Sequence, residues 1–176
     1  MQVNQDNFNE ARADIKAKLA KARLIAVDLE FTGCKVGGES DSYLDAVAER
    51  ENKLCLIAEG YTISQLGLTI GYTSDSAEAL ELASYNILLA PEGVFVMDAE
   101  SLKFIRENNG DLNLWIDKGV RTKRRQSSDQ QHLLDLQRAT RNTAFVCNAA
   151  CLRARRRQGF DFNAWVDTAD MSRERA

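Results

Sequence analysis

Leu24-Ile25-Ala26-Val27-Asp28-Leu29-Glu30-Phe31 is an apolar stretch interrupted by two carboxylates spaced i, i+2. Its aliphatic and β-branched residues read as a β-strand. Side chains two apart on a strand share a face, so Asp28 and Glu30 stand together. Mid-strand acids beside a core cost free energy unless something pairs with them. A hard divalent cation, Mg²⁺ or Mn²⁺, is the commonest partner for two such oxygens. The other reading is a strand end at which both acids face water. The neighbouring sequence has to decide between them.

Upstream, apolar Phe8, Ala11, Ile15 and Leu19 recur every three to four residues and predict a helix over 7–22, with Asn7 or Asp6 as N-cap. Downstream, a glycine-rich loop over 33–40 leads to a second predicted helix over 41–57, whose apolar positions include Leu44, Val47, Leu54 and Ile57. Residues 61–72 are β-rich, and 84–90 form their partner, closed by Pro91, the only proline. The polar stretch 73–83 between them predicts a hairpin loop. Strands wrapped with helices, the first strand bearing the acids, make an α/β sheet.

A chain of 176 residues, 44% hydrophobic, can bury one ordinary core. The N-terminus is polar from Gln2 to Asn9, with no signal-peptide pattern, and no apolar run is long enough to cross a bilayer. The expectation is therefore an intracellular protein, in nucleus or cytoplasm, that does not engage a membrane. Cys34, Cys55, Cys147 and Cys151 lack a paired CxxC spacing or a neighbouring His, so they read as reduced thiols and not as a zinc site.

The net charge of −3 conceals a split: residues 1–117 carry 10 Lys+Arg against 20 Asp+Glu, while 118–176 carry 13 against 6. An acidic body with a basic C-terminal part suggests a surface for a polyanion, or a match between the two parts. The basic residues concentrate in Arg121, Lys123, Arg124 and Arg125, and again in Arg153, Arg155, Arg156 and Arg157. A solvated charged face is the plain reading of each cluster. Beside a metal site they hint at nucleic acid, although no aromatic residues interleave with them.

The same C-terminal part repeats an earlier segment at an offset of 50. Phe95, Val96, Ala99, Leu102, Arg106, Asp111, Asn113, Trp115 and Asp117 recur as Phe145, Val146, Ala149, Leu152, Arg156, Asp161, Asn163, Trp165 and Asp167. Each copy reads as a short strand or turn, a helix, then an Asp-x-Asn-x-Trp cap. A local duplication and two alternative versions of one segment both account for it. The expected organisation is 1–120 as a partial α/β domain and 121–176 as a basic helical segment holding the second copy.

Taken in order, Asn7-Phe8, Ala26-Val27-Asp28-Leu29-Glu30-Phe31-Thr32-Gly33, Gln65-Leu66-Gly67-Leu68, Phe95 through Asp111-Leu112-Asn113, and Gly119 resemble a known family. They look like the N-terminal half of a poly(A)-specific ribonuclease, a PARN-like deadenylase of the DEDD exonuclease superfamily. Gly159-Phe160-Asp161-Phe162-Asn163 in the second copy matches that family's segment more closely still. The resemblance implies an RNase H-like mixed sheet flanked by helices, incomplete here. It also implies 3′→5′ exoribonuclease activity on poly(A) 3′ ends, by hydrolysis with two Mg²⁺ or Mn²⁺ ions. Asp28 would bridge both metals and Glu30 would help hold the first. Phe31, Thr32 and Gly33 would lie beside the terminal nucleotide, and a homodimer or a partner nuclease could complete the assembly.

Such a nuclease needs four acids. His132-Leu133-Leu134-Asp135-Leu136 resembles the family's second acidic motif with residues missing, which would make Asp135 a third catalytic acid and leave His132 flanking it. The residues by themselves read as an amphipathic helix over 129–139 with its His and Asp in solvent. Asp161, Asp167 and Asp170 read as caps and surface charges. Three functions stay open: a compact exoribonuclease, a non-catalytic half-domain that holds RNA or a partner, and a truncated product.

Overall fold

In a computed structural model, which describes residues 1–35, 44–73, 79–108, 110–122, 143–147 and 165–167, the acid-bearing stretch is β2 (Ala22–Phe31), inside a seven-stranded mixed sheet. β2 pairs antiparallel with β3 (Ile63–Thr73), and β3 antiparallel with β4 (Leu80–Pro91). β1 (Gln2–Val3) and β5 (Val120–Thr122) run parallel to β4. On the other side of β2, β6 (Ala144–Cys147) and β7 (Trp165–Asp167) extend the sheet in parallel. The helices among the described residues are α1 (Phe8–Leu19), α2 (Val47–Gly60), α3 (Ala99–Glu107) and α4 (Leu112–Lys118). The α/β sheet flanked by helices is the architecture expected from the sequence.

Register decides which side chains share a face. Ile25, Val27 and Leu29 stand opposite Ile70, Leu68 and Leu66, which in turn stand opposite Ala83, Tyr85 and Ile87. This is the core face. Ile70, Tyr85 and Ile87 are buried there with Val3 and Ala11, and Phe8, Ile15 and Leu19 of α1 pack against them. The period of 3.6 in α1 meets the period of 2 in the strands, which is why the spacing of Phe8, Ala11, Ile15 and Leu19 was a sound helix signal.

Several boundaries differ from the expectations. The polar N-terminus supplies an edge strand, and Val3 is fully buried. Asn7 occupies the N-cap position of α1 without capping it; its Oδ1 accepts from Asn4 N at 2.9 Å instead. Ala22 already belongs to β2, so α1 stops at Leu19. α2 begins at Val47, which leaves Leu44 outside it and 94% exposed, while Ile57 is buried as its spacing suggested. β3 and β4 run further into the polar stretch than its composition indicated, as far as the pair Thr73↔Leu80.

The described parts of the two copies of the repeated pattern differ in structure. In the first, Phe95 and Trp115 meet edge to face with centroids 5.8 Å apart, and Trp115 Nε1 donates to Leu89 O at 2.6 Å. Asp111 caps α4 by accepting from Leu114 N at 2.9 Å, as the Asp-x-Asn-x-Trp reading implies. In the second copy Trp165–Asp167 is strand β7, with Phe145 and Trp165 in register, and residues 161–164 of its expected cap lie outside the described residues. The described residues of the C-terminal part, 143–147 and 165–167, thus extend the sheet and include no helix.

A polar rivet fastens α1 to the sheet. Lys18 donates to Asp14, Tyr85 OH donates to Asp14 Oδ2 at 2.6 Å, and the Lys18 ammonium lies 5.8 Å from the centroids of both Tyr72 and Tyr85. The Lys18 hydrogen bond, and then that of Tyr85, holds the Asp14 carboxyl below its ordinary value. A lowered carboxyl stabilises the fold above the ordinary carboxylate range, and that contribution is lost as pH falls through the lowered value. Thermal melts should show Asp14→Asn less stable than wild type at pH 7, with the difference closing as pH falls below the ordinary carboxylate range. Tyr85→Phe should cost about 1 kcal/mol at pH 7.

Candidate active site

The face opposite the core carries the acids. Across β2, β3 and β4 its rows read Ala26, Thr69, Ser84; then Asp28, Gly67, Asn86; then Glu30, Gln65, Leu88. Asp28 and Glu30 share this face, as the strand reading expects, and both are exposed. Neither carboxylate has a hydrogen-bond or ion-pair partner among the described residues. Partial desolvation, and secondly the neighbouring Asp28 charge, push the Glu30 carboxyl above its ordinary value. Gly67 adds no side chain between Asp28 and Asn86. The Asn86 Oδ1 is buried with no hydrogen-bond partner among the described residues.

Immediately after Glu30 the backbone is fastened at several points. Ser64 Oγ donates to Glu30 O at 3.1 Å. Thr32 N donates to Thr62 O at 2.8 Å, and Thr62 N donates back to Thr32 Oγ1 at 3.1 Å. The Thr32 hydroxyl itself donates to Val96 O at 2.7 Å, and Thr32 O accepts from Asp98 N at 2.9 Å. Thr32 therefore ties the end of β2 to the start of α3, whose N-cap is Asp98. Gly33 is buried under Tyr61: a Cβ there would stand 2.0 Å from the ring's Cε1, and Tyr61 OH donates to Lys35 O at 2.8 Å. Lys35 pairs with Glu100 on α3.

These placements sort the residues singled out by sequence. Asp28 and Glu30 come together. Phe31 is half-buried beside them, opposite Ile63. Thr32 is fully buried with its hydroxyl committed, so what it does for the site it does by shaping the loop. Arg121 lies on β5, three inter-strand steps from β2 or about 14 Å, and donates to Ile116 O at 3.0 Å. Lys123, Arg124, Arg125, His132 and Asp135 lie outside the described residues. Ser64 and Thr62 escaped sequence reading, because a hydroxyl serving a neighbouring strand's backbone has no signature in its own.

Two open carboxylates, on one face and claimed by no described group, fit a divalent cation in donor type. They do not by themselves complete its shell: no cluster of three or more His, Cys, Asp or Glu among the described residues is arranged to hold a metal.

Residues 3–144 match the family described as CAF1 family ribonuclease. The chain belongs to that family. Among solved structures, S. pombe Pop2p in its Mg²⁺- and Mn²⁺-bound form superposes with a TM-score of 0.56 at 14% identity, over 87% of this chain and 62% of that one. The RNase domain of the yeast Pop2 protein gives 0.53 at 13% identity, over 84% and 52%. At such identities the likeness shows the fold, the RNase H-like sheet expected from sequence. This chain spans between about half and three-fifths of the length of those proteins. No curated protein matches the sequence. No helix among the described residues is long and apolar enough to cross a membrane.

Two substitutions test the local physics. Thr32→Val removes a buried hydroxyl and strands its partners, so urea unfolding should show a loss of about 1–3 kcal/mol. A carboxyl raised in the fold stabilises it at low pH and loses that contribution as pH rises through the raised value. In metal-free buffer Glu30→Gln should therefore melt above wild type at pH 7, with the gap closing near pH 4.

Proposed function

We propose that this CAF1-family chain is a PARN-like 3′→5′ exoribonuclease that removes adenylate from poly(A) 3′ ends. The observation that supports it most is the open Asp28–Glu30 pair on β2 of this sheet, two hard ligands on one face with no competing partner among the described residues. Bound there, a pair of Mg²⁺ or Mn²⁺ ions would supply a water of lowered pKa and charge neutralisation at the scissile phosphate. Asp28 and Glu30 hold this site, with Asp135 proposed as a third acid. The tendency of Glu30 to keep its proton is reversed when a cation stands beside it, so binding should release a proton at mildly acidic pH. The loop from Phe31 to Gly33, fastened by Thr32, gives the terminal nucleotide a fixed wall. Arg121, Lys123, Arg124 and Arg125 serve the RNA backbone, and such contacts make affinity fall with salt.

A second reading has its own support: among the described residues only two acids gather. In that reading the chain holds RNA, or a partner protein, without cutting. One experiment separates the two. The purified chain is incubated with 5′-labelled oligo(A) and Mg²⁺, beside Asp28→Ala and an EDTA control. The nuclease reading expects a ladder shortening from the 3′ end that disappears in both controls. A ladder that survives Asp28→Ala overturns it, and retarded but uncut RNA on a native gel supports the binder.

A further inference from the structure

The ladder between β2 and β3 runs in step from Leu24↔Gly71 to Glu30↔Gln65, and the next pair is Phe31↔Ile63. Ser64 is the residue left over, so β3 carries a bulge directly opposite the second acid. Bulges bend a strand, increase its local twist and re-aim the neighbouring side chains. Ser64 is only 5% exposed, and its hydroxyl donates to Glu30 O at 3.1 Å.

The geometry of a shared cation makes such a device useful. Residues i and i+2 of a regular strand have Cα atoms about 6.6–6.8 Å apart. Two oxygens on neighbouring positions of an Mg²⁺ shell lie only about 3 Å from each other, since each is about 2.1 Å from the ion. Parallel side chains on an untwisted strand do not meet that requirement, whereas a twist placed beside one of them turns it toward the other. The peptide after Glu30 is pinned twice more by Thr32, through Thr62 on the β3 side and Val96 on the α3 side. Of these contacts only that of Ser64 falls on Glu30 itself.

We infer that Ser64 is a positioning residue for the metal site: as the bulged residue of β3 it holds the Glu30 peptide so that both carboxylates can reach one cation. The inference rests on the reading of Asp28 and Glu30 as cation ligands. Its test is Mn²⁺ binding to the full chain, followed by electron paramagnetic resonance and calorimetry, with melts of the metal-free protein alongside. Glu30→Gln, Ser64→Ala and Ser64→Thr are compared with wild type. Ser64→Ala should weaken Mn²⁺ binding about 10-fold, the lower end of the effect of removing an outer-sphere partner. Ser64→Thr, which keeps the hydroxyl, should recover most of that loss even if both variants melt lower than wild type. Unchanged binding in Ser64→Ala, with binding lost in Glu30→Gln, would overturn the positioning role and leave the metal reading intact. Equal loss in Ser64→Ala and Ser64→Thr would overturn it too, because the hydroxyl would then not be what matters. Unchanged binding in Glu30→Gln would remove the metal reading and this inference with it.

Discussion

Nine residue pairs join β2 to β3, from Ala22↔Tyr72 to Phe31↔Ile63, and the register of this ladder governs both faces of the molecule. It sets Ile25 and Val27 opposite Ile70 and Leu68, on the face against which α1 packs, and in the same stroke turns Asp28 and Glu30 to the open side. A slip by one residue would exchange the two sets, placing two carboxylates in the core and leaving the aliphatic residues in water. The acids are thus held in place by the hydrophobic effect acting on their neighbours.

The end of β2 is governed differently. Hydrophobic alternation stops being informative at Phe31, and hydroxyl groups take over: Ser64 on the Glu30 carbonyl, Thr32 between Thr62 and Val96. Each satisfies main-chain groups where the ladder goes out of step, and a buried donor or acceptor left unmatched would be costly. Polar side chains here do the work that strand pairing does elsewhere. This is also the region nearest the acids, and local irregularity next to a site is a common way of aiming side chains.

The repeated pattern shows how far local sequence reaches. Asp111-Leu112-Asn113-Leu114-Trp115 is a capped helix start, because Asp111 can accept from Leu114 N and Trp115 finds Leu89 O and the edge of Phe95. Trp165–Asp167 shares the Trp and Asp but lies beside β6, where an unpaired strand edge is available, and it extends the sheet. The propensities of the two segments are close; their surroundings are not. Context of this kind routinely overrides propensity.

Sequence alone settled the period-two stretch with its paired acids, the period of α1, the β3–β4 pair and the α/β class, because each rests on side-chain spacing within one segment. The sharing of a face by Asp28 and Glu30 belongs with these, since it follows from strand geometry. Other features belonged to tertiary structure: the strand made by Gln2–Val3, the exposure of both acids, the burial of Thr32, the bulge at Ser64 and the strand conformation of Trp165. Each depends on which distant backbone lies alongside. Hydrogen bonds and burial are properties of pairs of segments, and neither member of a pair carries the partner's position in its own residues.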